Sequence, residues 1–153
     1  MTLYLVQHGQ SLPKDVDPDQ GISEEGVAET ERIAGVAKSY HINVGQILHS
    51  VKTRARKTAD IFASSLNPTR GVKEVEGLKP MDDVAAFAAS INPDTNTMLV
   101  GHLPFMERMT SYLVTGTIDK PVFKFQNSGI VCLDKDPDSE LWVIVWALMP
   151  KIE

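Results

Sequence analysis

Two apolar runs that each stop at a histidine constrain this chain more than any other feature. They are Leu3-Tyr4-Leu5-Val6-Gln7-His8-Gly9 near the start and Thr97-Met98-Leu99-Val100-Gly101-His102 further on. Short apolar runs of this kind read as strands. In an α/β sheet, ligands bind outside the carboxyl ends of the strands, so a polar residue placed there faces a site and not the core. One strand-end histidine alone is more often satisfied by backbone hydrogen bonds. Two of them can face each other across one pocket.

The segments between these runs complete a strand–helix alternation. Residues 2–7 form the first strand, followed by a polar loop with Pro13, Pro18 and several aspartates. Ser23 is placed to cap a helix running to about Tyr40, with Ile33, Val36, Ala37 and Tyr40 as its buried stripe. Residues 46–49 are a second short strand, and Ser50 stands as the cap of a helix reaching about Leu66. A turn at Asn67-Pro68 and a brief strand over 72–75 lead to Asp82, placed as the cap of a helix whose apolar face is Val84, Phe87, Ala88 and Ile91. After the His102 strand, Pro104 occupies the favoured first-turn position of a helix that ends at Gly116. Residues 130–134 and 141–148 are strand-like and flank Asp136-Pro137-Asp138-Ser139, a hairpin signature. Trp142 and Trp146, four apart in the last strand, are expected on one sheet face and in the core. His41 and His49 fall in no motif and read as structural. The pattern predicts a single α/β domain over residues 1–153: a mostly parallel sheet, helices on both faces, and an antiparallel C-terminal hairpin.

Composition narrows the function. A length of 153 residues fits one core, and a formal charge of −5 argues against nucleic acid as the main partner. The single cysteine, Cys132, excludes an internal disulfide framework and lies in an apolar run, where a buried strand thiol is expected. No apolar stretch is long enough to span a bilayer, and no basic segment followed by an apolar one opens the chain. A cytoplasmic location with no membrane partner is expected.

Three features converge on phosphate chemistry: His8-Gly9, Gly101-His102, and Arg54 within Ser50-Val51-Lys52-Thr53-Arg54-Ala55-Arg56-Lys57-Thr58-Ala59. Arg54 sits in the first turn of a helix that follows a strand end. A helix N-terminus offers backbone N–H groups and partial positive charge, and arginine adds a planar fork for two phosphate oxygens. A neutral histidine nearby can act as a nucleophile, and a protonated one can donate to phosphate oxygen. Residue types alone therefore imply a phosphoryl-binding pocket. Other chemistries fit worse. There is no Gly-x-x-x-x-Gly-Lys loop, no Gly-x-Ser-x-Gly elbow, no arginine shortly after Cys132 and no clustered metal-ligand pattern.

The order strand-His-Gly, Ser-x-x-x-Arg-Ala-x-x-Thr-Ala, Val-Gly-His-x-Pro resembles the histidine phosphatase superfamily, and the small size resembles its short SixA-type phosphohistidine phosphatase branch. Ile22-Ser23-Glu24-Glu25-Gly26, Leu78-Lys79-Pro80-Met81-Asp82 and the segment from Phe125 to Gly129 carry the likeness over nearly the whole chain. The resemblance implies a phosphoglycerate mutase-like fold and phosphatase activity on a phosphorylated protein or a small phosphate compound, without metal or cofactor. It implies that His8 is the nucleophile that accepts the phosphoryl group, and that Arg54 and His102 hold the phosphoryl oxygens. Gln7, Gly9 and Asp82 would line the substrate pocket, with Asp82 or Asp83 within reach as an acid. One residue departs from the family pattern: Gln7 stands where the family has the arginine of Arg-His-Gly. The alternative function is therefore a catalytically weak or inactive phosphate-binding regulatory domain.

Overall fold

Alternating apolar residues along the first strand decide how the layers form, because successive side chains enter opposite faces of a sheet. The computed structural model describes residues 1–92 and 94–152 and contains β1 (Thr2–Gln7), α1 (Glu24–Ser39), β2 (Gln46–His49), α2 (Thr53–Leu66) and β3 (Val72–Glu74). These are followed by α3 (Val84–Ala89), β4 (Thr97–Gly101), α4 (Phe105–Thr115), β5 (Ile130–Asp134) and β6 (Val143–Leu148). Tyr4 and Val6 enter one face of the sheet and pack with Ile33, Ala34 and Ala37 of α1 and Ala55, Ala59 and Phe62 of α2. Leu3 and Leu5 enter the other, against Val84 and Phe87 of α3 and Phe105, Met106, Met109 and Leu113 of α4. Phe62 is fully buried. A side chain of that size contributes about 1.5–3 kcal/mol through burial.

The sheet runs β3-β2-β4-β1-β5-β6. The first four strands in that order pair in parallel, while β5 runs antiparallel to β1 and β6 antiparallel to β5. The mostly parallel sheet, the helices on both faces and the C-terminal hairpin are as the sequence predicts. Register matters most between β1 and β4, where Gln7 pairs with Gly101, so His8 and His102 leave the sheet side by side.

Several local expectations are corrected. Tyr40 is 77% exposed, and the buried face of α1 runs through Gly26, Thr30, Ile33, Ala34 and Ala37. The helix has already ended at Ser39, so Tyr40, its C-cap, is no longer held over the core. Asp83, not Asp82, caps α3 by accepting the Ala86 N–H at 3.1 Å, whereas Asp82 closes the preceding turn on the Lys79 N–H at 2.9 Å. Pro104 is the N-cap of α4, one position before the first turn. Trp142 and Trp146 lie on opposite faces, Trp142 in the α3/α4 layer and Trp146 against the α1/α2 layer. The cause is an irregularity in the β5–β6 pairing: Cys132 meets Trp146 while Leu133 meets Ile144, so Val145 is the extra residue that reverses the alternation. Ser50 does not cap α2, whose N-cap is Lys52 with no side-chain cap bond.

Candidate active site

Three neighbouring strands of the sheet, β2, β4 and β1, are followed directly by Ser50, His102 and His8 in that spatial order. The backbone ladder continues just past the strands, with the Ser50 N–H donating to Val100 and the His8 N–H to Gly101. The two imidazoles come together with ring centroids 5.1 Å apart, tilted by 54°. The pair anticipated from two strand ends is therefore formed.

His8 is held on every side. Its backbone carbonyl accepts from Asn127 Nδ2 at 2.8 Å. Its ring Nδ1 lies 2.7 Å from the Gly9 carbonyl oxygen. A carbonyl only accepts, so Nδ1 carries the proton and Nε2 keeps its lone pair. Burial lowers the His8 pKa below 6.5, the Gly9 contact opposes that shift, and the positive field of Arg54 adds to it. The net result favours the neutral ring. A neutral imidazole with an unprotonated Nε2 is a nucleophile.

Gly9 is needed for close approach. A Cβ there would lie 3.0 Å from Thr30 Oγ1 and 3.2 Å from Ser128 Oγ. Its N–H donates to Thr58 Oγ1 at 2.8 Å, and that hydroxyl donates to the Arg54 carbonyl at 2.8 Å. Thr58 thus ties the turn carrying His8 to the helix carrying Arg54. Sequence reasoning included Thr58 in a motif without giving it a role. The signal was its spacing, four residues after Arg54, where a threonine bonds back to the i−4 carbonyl.

Arg54 lies in the first turn of α2 and is partly buried, which lowers its pKa. Among the described residues its side chain makes no hydrogen bond or ion pair, and the Thr53 and Arg54 N–H groups have no protein partner. The positive end of α2 and the guanidinium therefore both remain available to an anion.

His102 is 2% exposed. Burial first, then competition with the adjacent His8 imidazole for a proton, then the positive fields of Arg54 and Lys52, push its pKa down to about 3. Its Nε2 lies 2.6 Å from Ser50 Oγ, while Nδ1 is buried without a hydrogen-bond partner among the described residues. Gln7 Oε1 is likewise buried and unpartnered. Buried polar atoms in native structures are nearly always paired, and these two orphans lie at the ends of the adjacent strands β1 and β4. Asp82 is not joined to this cluster by any hydrogen bond among the described residues. The positive charge of Arg54 disfavours protonation of both rings, and that of Lys52 disfavours protonation of His102.

No protein-family model matches the chain. It is 27% identical, over 94% of its length and 95% of the other, to an uncharacterized protein of Picosynechococcus sp.. Among solved structures, it resembles the protein histidine phosphatase SixA complexed with tungstate, with a TM-score of 0.82, 24% identity and coverage of 98% of this chain and 97% of that one. A candidate phosphohistidine phosphatase SixA of Agrobacterium tumefaciens gives a TM-score of 0.76 at 25% identity, covering 97% of each chain. The alpha-ribazole phosphatase of Shigella flexneri gives 0.77 at 13% identity, covering 100% of this chain and 98% of that one. Over nearly its whole length, the chain shares the fold of the SixA structures, that of the histidine phosphatase superfamily.

Proposed function

We propose that this protein is a metal-independent phosphatase that removes phosphate from phosphohistidine through a covalent intermediate on His8. The observation that carries the reading is the His8–His102 pair, 5.1 Å apart, with His8 Nδ1 2.7 Å from the Gly9 carbonyl oxygen. His8 Nε2 attacks phosphorus, an N–P bond forms, and the bond to the leaving group breaks. Water then attacks the same phosphorus, releasing phosphate and returning His8 to its neutral form. Arg54, the α2 N-terminus and His102 hold the phosphoryl oxygens as charge redistributes, which is the main protein contribution to phosphoryl transfer.

The leaving group sets the substrate class. An alkoxide needs a proton from a positioned acid, and among the described residues no carboxylate is hydrogen-bonded to either imidazole, whose ring partners are the Gly9 carbonyl and Ser50. A protonated phosphohistidine leaves as a neutral ring and needs no such acid. The solved relatives include phosphatases described as acting on phosphohistidine and on alpha-ribazole phosphate, and this difference in leaving group favours the former here.

The test is hydrolysis of a phosphohistidine protein and of a chromogenic phosphate ester in EDTA, with His8→Ala as control. Faster turnover of the phosphohistidine, abolished in the control, is expected. Equal turnover by the control removes His8 from the nucleophile role. Gln7 supports a second reading, a domain that binds phosphorylated partners without turning them over, since an amide lacks the arginine's charge. Saturable binding of tungstate or phosphate with no hydrolysis of either substrate would establish that reading instead.

A further inference from the structure

We propose that Ser50 is a positioning residue that fixes the tautomer of His102, so that the buried Nδ1 carries the proton offered to a phosphoryl oxygen. This rests on the phosphatase reading above for its catalytic consequence, but the tautomer itself is independent of turnover.

The inference follows from counting donors and acceptors. Ser50 is 1% exposed and His102 2%, so neither side chain exchanges bonds with bulk water. Ser50 Oγ has two contacts among the described residues: it accepts the Lys52 N–H at 3.3 Å and lies 2.6 Å from His102 Nε2. Two proton arrangements fit the second contact. If Nε2–H donates to Oγ, the serine oxygen accepts twice and its own O–H has no acceptor. His102 Nδ1 would then be a buried lone pair with no donor. That arrangement orphans two polar groups. If the serine O–H donates to Nε2, every Ser50 bond is made and the proton resides on Nδ1. Only one group, Nδ1–H, remains without a partner.

Buried polar groups are rarely left unpaired, so the second arrangement prevails. It also matches the ligand, because a phosphoryl oxygen accepts hydrogen bonds and cannot donate one when ionised. A neutral imidazole can donate only through its protonated nitrogen. With Nε2 unprotonated against Ser50, His102 serves phosphate as a neutral donor and needs no positive charge to do so. The low pKa of about 3 agrees with a ring kept neutral. Ser50 itself touches no reacting atom in this scheme. It acts through His102, as the orienting member of a hydrogen-bonded pair.

The decisive measurement is made on the unmodified protein with 15N-labelled histidine. Ring-nitrogen chemical shifts distinguish a protonated from an unprotonated nitrogen. For His102 the expected pattern is a protonated Nδ1 and an unprotonated Nε2, with the Nδ1 resonance moving when tungstate is added. An Nε2–H pattern overturns the inference whether or not the protein is a phosphatase. Ser50→Ala is expected to release the tautomer preference and lower kcat/KM by about 10- to 100-fold, mostly in kcat. Ser50→Thr, which keeps the hydroxyl, is expected to recover the rate. An Ser50→Ala protein with the original nitrogen shifts and an unchanged rate also overturns it. Where that variant does not fold, the unmodified protein's spectrum decides. Absence of turnover on every phosphoryl substrate defeats the phosphatase reading while leaving the spectrum to settle the tautomer.

Discussion

Replacing His102 with asparagine should change how stability depends on pH more than any other single substitution at the site. In the folded protein, burial, the adjacent His8 imidazole and the positive fields of Arg54 and Lys52 hold this imidazole down to about 3. In the unfolded chain it titrates near its ordinary 6.5. Between those values the unfolded state binds a proton that the folded state refuses, so stability rises with pH and is lost as pH falls. Each pH unit fully inside that window is worth about 1.36 kcal/mol. From pH 6 to pH 4 the unfolded imidazole goes from mostly to fully protonated, and the loss from this one residue is about 2.5 kcal/mol. Other titrating groups contribute to both proteins and largely cancel in the comparison. Urea denaturation of wild type and His102→Asn at pH 6, 5 and 4 measures the difference. The wild type should lose about 2.5 kcal/mol more than the variant over that range. Parallel losses would mean that His102 ionises normally inside the fold, and the electrostatic description of the pocket would be wrong.

Three further outcomes follow from the same geometry. Gln7→Arg should raise kcat/KM on a phosphohistidine substrate, since a charge-assisted hydrogen bond contributes about 1.5–3 kcal/mol, or ten- to a few hundred-fold in rate. No gain in steady-state assays would show that the amide suits this site's own substrate. Gly9→Ala should destabilise by about 1–3 kcal/mol, because the added methyl meets Thr30 Oγ1 at 3.0 Å, and a denaturation midpoint equal to wild type would contradict that. Since burial holds His8 below its ordinary pKa, the acid limb of the kcat/KM profile should fall below pH 6.5, and a limb above that value would mean that the nucleophile is not the buried neutral ring.

The sheet and the two histidines were legible because their signals are local. An apolar run ending in a polar residue specifies both a strand and the direction its end faces, and Leu3 to His8 and Thr97 to His102 both have that form. Arg54 was legible through the spacing of its motif and its place in a first helical turn. Ser50 was not. A serine between a strand and a helix is ordinarily a cap, and its bond to His102 joins residues 52 apart in sequence, which no local pattern records. Asp82 and Asp83 are adjacent candidates for one cap, and the turn closed on the Lys79 N–H takes the first of them. The two tryptophans were separated by one extra residue in β6, a register event set by pairing with β5 and invisible in β6 alone. For Ser50 and the tryptophans the missing information was a tertiary hydrogen bond or a strand register; for the two aspartates it was which of two adjacent local turns each one closes.

The most direct test of the central claim is rapid-quench analysis of the protein mixed with a phosphorylated substrate in EDTA, followed by mapping of the phosphorylated residue. A transient acid-labile phosphoryl group on His8, absent from His8→Gln, is the expected result. Steady turnover with no phosphate ever found on His8, or retained in the His8→Gln variant, would contradict it.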